Sequence, residues 1–204
     1  MPSPSVLTVK EAAESRRAIR KYVQEPVPEE DIRAILDQVR LAPSPNNFQP
    51  WRFVVVRDPA LKKRLEPAAE NQRQVISTHC LIVLYADMED VLAHREETVH
   101  PGIQGPARDR ALAAIERDWG GKTVAVRQRF AHGISYIALA YLLLAAESMG
   151  YRTSPMLGFD PEQFKAILEL PPHVTLPAIV AIGRGDEPGF PHHRHSVDRI
   201  ARFI

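Results

Sequence analysis

The sequence predicts one domain in which helices are mixed with a small number of apolar strands. Three observations carry that prediction. A chain of 204 residues, 45% hydrophobic and 25% charged, suits a single domain with a core of its own. The run Cys80 to Ala86 is apolar at every position, as a strand covered on both faces is, and Thr175 to Gly183 is a second apolar strand. Ile134 to Ala146 is apolar nearly all round at helical length, the pattern of a helix buried on several faces, either centrally or against another subunit.

Taken in order, Thr8 and Glu11 have the spacing of a capping box and start a short helix that runs to about Ser15. After the turn Pro26-Val27-Pro28, the apolar positions Ile32, Ile35, Leu36 and Val39 recur at helical spacing until Pro43 stops them. Trp51 to Arg57 reads as a strand. Asp58-Pro59 is a capped start for a helix through about Ala69, and Asn71 to Ser77 adds a turn or two. Cys80 to Ala86 is the central strand. Met88 to about Gly120 is charged and less periodic and predicts a mobile helical excursion. Lys122 to Met149 follows as one long helix, with Gly150 just past its end. Tyr151 to Ser154 is a short strand, Asp160-Pro161-Glu162-Gln163 the capped start of another helix, and Thr175 to Gly183 the last strand. The tail from Gly185 is rich in Gly, Pro and His and closes on Ile200, Phe203 and Ile204. Such an apolar end has to dock, on its own domain or on a partner subunit.

Composition excludes several classes of function. A formal charge of +1 gives no whole-protein field for nucleic acid or a membrane surface, so any basic site is local. Cys80 is the only cysteine, which excludes an intrachain disulfide and a thiolate zinc site, and its place in an apolar run reads as a small buried hydrophobe. The opening Met-Pro-Ser-Pro-Ser has no basic and apolar leader pattern, and no apolar run approaches the roughly 18 residues of a membrane span. The expectation is a soluble cytoplasmic protein whose residues 1–204 form one domain.

Three arginines within five residues, Arg16, Arg17 and Arg20, follow the first helix, and Arg184 and Arg194 lie near the other end of the chain. Guanidinium forks suit a phosphate dianion if the two ends converge; if they do not, the run is a solvated surface. Neither G-x-G-x-x-G nor G-x-x-x-x-G-K-[ST] accompanies them, so the standard dinucleotide fold and a P-loop lack support. The histidines at 192, 193 and 195, and His94 with Glu96, Glu97 and His100, have no specific metal-ligand spacing, so no metal is expected. No G-x-S-x-G elbow is present, and Ser44 between two prolines reads as a hydrogen-bonding loop residue. The neutral amides and hydroxyl of the stiff loop Pro43 to Pro50 suit a planar heterocycle and its sugar alcohols, and equally suit a capped turn between helix and strand.

Four segments in order, Ser15-Arg16-Arg17-Ala18-Ile19-Arg20, Pro26-Val27-Pro28, Ala42 to Trp51 and Gly158-Phe159-Asp160, resemble the FMN-dependent nitroreductase family, most closely its short bacterial NAD(P)H-dependent members. The resemblance spans nearly the whole chain. It implies an α+β fold with a central mixed β-sheet flanked by helices, and an intertwined homodimer with FMN at the interface. It also implies NADH or NADPH as electron donor and a small planar electron-poor substrate, with no nucleic acid and no membrane.

Residue by residue, the resemblance puts Arg16 and Arg17, with Ala18 beside them, on the FMN phosphate and Arg20 near the flavin N1 and O2 edge. Arg194 closes on the same phosphate. Pro43, Ser44, Pro45 and Asn47, with Gln49 nearby, reach FMN from the partner subunit. Asn71 and Gln74 lie beside the pyrimidine edge, and the backbone of Leu157 and Gly158 faces N5. The chemistry asks for these types: hydride delivered to N5 leaves negative charge around N1 and O2, which a fixed cation stabilises, so no protein nucleophile is needed.

Two departures stand out. Ala18 replaces a common serine, losing a hydroxyl donor, and Gln74 replaces a lysine carried by some members, losing a second cation. Two other roles share the resemblance: a different flavin reaction on the same fold, reductive dehalogenation or flavin fragmentation, and flavin binding without catalysis.

Overall fold

The computed structural model describes residues 6–204; residues 1–5, on which the absence of a leader was read, lie outside them. In chain order the elements begin with α1 (Val9–Ser15), α2 (Glu29–Val39), β1 (Trp51–Val56), α3 (Pro59–Leu65), α4 (Arg73–Ser77) and β2 (Cys80–Ala86). They continue with α5 (Met88–Ala93), α6 (Pro106–Ile115), α7 (Val124–Ser148), β3 (Arg152–Met156), α8 (Pro161–Ile167), β4 (Thr175–Gly183) and α9 (Val197–Ile200).

The four strands form one sheet in the order β1-β2-β4-β3, with every neighbouring pair antiparallel. The expected mixed character is confined to one place, a parallel bridge between Ala18 and Thr153 that lays the segment after α1 along the β3 edge. β2 is central, paired by β1 on one side and β4 on the other. Period-2 alternation divides its side chains. Cys80, Ile82 and Leu84 pack with α2 and α7 on one face, while Leu81 and Val83 pack with residues of α3, α4 and α8 on the other. Each such side chain, fully buried, contributes about 1.5–3 kcal/mol.

Local chemistry sets the element ends. Both halves of the Thr8–Glu11 capping box form. The helix expected through Ala69 ends at Leu65, because Pro67 cannot continue the ladder and starts a tight turn over Pro67–Ala69 instead. Glu70 and Asn71 then take left-handed conformations, which delays α4 to Arg73. β3 runs two residues beyond expectation, to Met156, and Pro155 is tolerated there because β3 is an edge strand of the four.

The excursion over 88–120 is helical, as expected. It folds back through a third apolar cluster of Phe48, Ala86, Met88, Val91, Val99, Ile115 and Ala131, and ends in a π turn over Glu116–Gly120 whose Trp119 ring lies 4.3 Å from that of Phe130.

α7 is the spine of the molecule. Among the described residues it is the one helix long and apolar enough, by length and composition alone, to cross a membrane, although no unbroken apolar run in it reaches that length. It is nonetheless a core helix: Ala131, Ile134, Ala138, Leu139, Leu142 and Ala146 are buried, and so are Gln128, Ser135 and Glu147. Gly150 follows it at φ +81°, a left-handed conformation that strains any residue with a Cβ. Gly150→Ala is therefore expected to lower stability by about 1–2 kcal/mol in a denaturant titration. The tail does not dock on its own domain, since Ile200, Phe203 and Ile204 are exposed.

Candidate functional site

The two ends of the chain converge. Extended residues 18–22 lie along the sheet edge, joined by Ile19 N–H to Thr153 O at 3.0 Å, Val23 N–H to Arg184 O at 3.0 Å and Asp186 N–H to Lys21 O at 3.0 Å. The segment after β4 then crosses the arginine run at close quarters. A Cβ on Gly189 would meet Arg17 Cβ at 2.7 Å and Ile19 Cδ1 at 2.8 Å, and one on Gly185 would meet Arg152 Cγ at 2.7 Å. Glycine at both positions is what permits this approach.

Two adjoining cavities result. A basic one of about 200 Å³ is lined by Arg16, Arg17, Arg20, His192 and Arg194. It shares Ala18, Arg20 and Phe190 with a larger cavity of about 520 Å³ that also carries Lys21, Arg73, Gln74 and Glu187. Burial pushes the Arg16 guanidinium pKa down, the carboxylate of Glu147 opposes that shift, and Arg194 and Arg17 add to it, so these cations act on one another. Arg16 Nη1 is buried without a hydrogen-bond partner among the described residues. A buried donor left unpaired beside clustered cations is the signature of an anion site. His192 is set there by its Nε2 contact with Ala13 O at 3.2 Å.

Gln74, only 5% exposed, is held at the far wall of the larger cavity by Gln72 Oε1 at 2.9 Å and Met156 Sδ at 3.2 Å. Gln72 in turn donates to Gly158 O at 2.7 Å, tying the start of α4 to the turn after β3. A Cβ on Gly158 would meet Glu70 Oε2 at 2.9 Å, so the glycine makes room for that carboxylate. Leu157 is exposed beside it. Asn71 is exposed too and does not line the cavity.

The loop residues lie elsewhere. Pro43, Ser44, Pro45, Asn47 and Gln49 precede β1, at the opposite edge of the sheet from the arginines, and Asn47 and Gln49 line a separate cavity with Arg52, His94 and Thr98. Within one chain their polar groups serve the loop: Gln49 N–H donates to Ser44 Oγ at 2.9 Å, Gln49 Nε2 to Asn47 Oδ1 at 2.9 Å, and Asn47 Nδ2 to Thr98 O at 3.2 Å. Asn46, Asn47 and Gln49 all have positive φ, a conformation that asparagine tolerates better than most residues, and such strain gathers at functional sites.

Sequence reasoning missed Lys21, Arg73, Glu187 and Phe190 as lining residues. For the last two, the only available signal was the Gly185 and Gly189 pair that brackets Glu187.

The site's features fit a phosphorylated planar ligand: a cationic pocket with a spare buried donor, opening into a chamber large enough for a fused ring. Comparison with known proteins gives the family. The family model described as the Nitroreductase family matches residues 13–184. A protein named NADH dehydrogenase from Thermus thermophilus is 49% identical over 195 residues, covering 96% of this chain and 95% of that one. A candidate NAD(P)H nitroreductase of Bacillus subtilis, YdgI, is 29% identical over 203 residues, covering 95% and 96%. The crystal structure of a candidate nitroreductase from Exiguobacterium sibiricum in complex with FMN superposes with a TM-score of 0.88 at 26% identity, covering 99% of this chain and all of that one. With the family's model matched across most of the chain and a relative half identical along its length, this protein is a member of the nitroreductase family.

Proposed function

We propose that this chain is an FMN-dependent NAD(P)H oxidoreductase that reduces nitroaromatic, quinone or related electron-poor acceptors. We take residues 1–204 as one domain that works as a cytoplasmic homodimer. The observation that carries the reading is the continuity of the basic cavity, with its unpaired Arg16 donor, into the larger chamber walled by Arg20 and Gln74. When bound, FMN would supply the redox chemistry, taking hydride at N5 from NAD(P)H and passing reducing equivalents to an acceptor in a second half-reaction.

The residues divide the remaining work. Arg16, Arg17 and Arg194 would hold the phosphate as charge-assisted donors, with Ala18 lining the cavity beside them and offering no hydroxyl. Arg20 would set a fixed positive charge at the pyrimidine edge, where charge develops on reduction, and Gln74 would offer a neutral amide there, while Asn71, outside the cavity, takes no part. The backbone of Leu157 and Gly158 orients the reacting edge.

Pro43, Ser44, Pro45, Asn47 and Gln49 come from a second copy, because one chain leaves them across the sheet from the arginines. The uncovered apolar surface supports that dimer: Tyr136, Ile137 and Tyr141 on α7, and Ile200, Phe203 and Ile204 in the tail, are exposed. Cys80, buried with its thiol pushed up to about 12 chiefly by desolvation, stays a reduced core residue, in keeping with a reducing compartment.

The test is an anaerobic absorbance scan of protein reconstituted with FMN. NADH or NADPH is expected to bleach the visible flavin band, and a quinone or nitroarene to restore it. Flavin that binds but stays oxidised with both nucleotides would overturn the NAD(P)H mechanism and favour another role for the site.

A further inference from the structure

Glu187 lines the larger cavity, yet by charge alone a carboxylate beside a site for an anionic ligand opposes binding. Its geometry gives it a different task. One oxygen, Oε1, accepts the backbone N–H of Arg20 at 2.6 Å and of Lys21 at 3.3 Å. The residue stands between Gly185 and Gly189, the two points where the C-terminal segment presses on Ile19, Arg17 and Arg152. Asp186 N–H adds a bond to Lys21 O at 3.0 Å. Beyond the second glycine the chain delivers Phe190, His192 and Arg194 to the basic cavity. From Phe190 onward this segment is exposed, and among the described residues the His192 contact with Ala13 O at 3.2 Å is the one hydrogen bond that ties its cationic end to the first helix.

We propose that Glu187 is a latch: a positioning residue that holds residues 185–194 against residues 16–21, so that His192 and Arg194 complete the anion cavity. The inference rests on reading that cavity as the phosphate end of the FMN site. Latching and charge predict opposite signs. If Glu187 acted only through its charge, removing the charge would tighten binding of a phosphate, whatever side chain replaced it. If it acts as a latch, alanine loses the acceptor and releases the segment, whereas glutamine keeps an oxygen that can take both N–H groups and drops the repulsive charge.

The experiment titrates FMN and riboflavin into flavin-free wild type, Glu187→Ala and Glu187→Gln, and follows amide hydrogen exchange of the same proteins without flavin. Glu187→Ala is expected to weaken FMN binding about tenfold, whereas Glu187→Gln binds FMN at least as tightly as wild type. Exchange over residues 16–22 and 185–194 rises in the alanine variant and not in the glutamine variant, with residues 80–86 unchanged as the control for folding. In an Arg194→Ala background, Glu187→Ala costs less than it does in the wild type, because the latch then has no arginine left to deliver.

Tighter FMN binding by both variants would overturn the latch in favour of a charge effect, and unchanged exchange over 185–194 in Glu187→Ala would overturn it outright. Because exchange is read without flavin, a wild type that fails to bind FMN would count against the proposed function and leave the latch to stand or fall on the exchange data.

Discussion

Replacing Arg16 with alanine is expected to weaken FMN binding by about 10- to 100-fold while leaving riboflavin binding unchanged. A hydrogen bond to a charged group contributes about 1.5–3 kcal/mol, and about 1.4 kcal/mol is a factor of ten. Arg16 stands apart from its neighbours in the cluster. Arg17 Nη1 is already spent on Glu14 O at 2.8 Å and Arg194 Nη1 on His193 O at 2.7 Å, whereas Arg16 Nη1 is buried with no partner among the described residues. The measurement is flavin fluorescence titration of both ligands into flavin-free protein, with a thermal melt to check folding. Equal losses for FMN and riboflavin would place Arg16 away from the phosphate, and no loss for either would remove the arginine cavity from the site. Arg16→Lys is expected to recover only part of the affinity, since an ammonium lacks the planar two-donor fork.

Arg152→Ala should cost about 3 kcal/mol of stability, the lower end of what breaking a buried ion pair costs, because Arg152 itself is partly exposed. Glu147, on α7, is 0% exposed, and its Oε1 is held by Arg152 and by Ser15 Oγ at 2.8 Å, while Oε2 has no partner among the described residues. Taking Arg152 away leaves a carboxylate inside the protein with one hydroxyl donor and the field of Arg16. For a chain of this size the loss corresponds to a fall in Tm of about 6–12 °C. Adding Glu147→Gln to Arg152→Ala removes the stranded charge and is expected to recover at least half of the loss. A cost below about 1 kcal/mol for Arg152→Ala would mean that Ser15 and Arg16, and not Arg152, compensate the carboxylate.

The elements were legible where local chemistry decides them. The Thr8–Glu11 capping box, the Asp58 and Asp160 caps and the stop at Gly150 depend on contacts a few residues apart, and each forms where its residues predict it, while the central strand was legible from its unbroken apolar run. Boundaries drifted where a breaker met a helical pattern, as at Pro67, or where a polar residue took a left-handed conformation, as at Glu70 and Asn71. The arginine run was legible by type but its role was conditional, since spacing alone cannot say whether residues 16–20 meet residue 194.

By itself, the sequence determined the four strands and most helices in order, though not α9 or the division of residues 88–120 into separate helices, together with the buried character of α7 and β2 and, through four short segments in order, the family. Only the tertiary structure decided that the chain ends meet, that Ala18 and Thr153 pair, that Glu187 and Phe190 join the cavities, and that the loop at Pro43 to Gln49 is stranded across the sheet from the arginines. The physical reason is range. Caps, turns and periodicity are set by neighbours within about four residues along the chain, whereas this site is assembled by sheet register and by the close approaches of Gly185 to Ile19 and of Gly189 to Arg17, between segments more than 160 residues apart, as the Arg20–Glu187 bond also is.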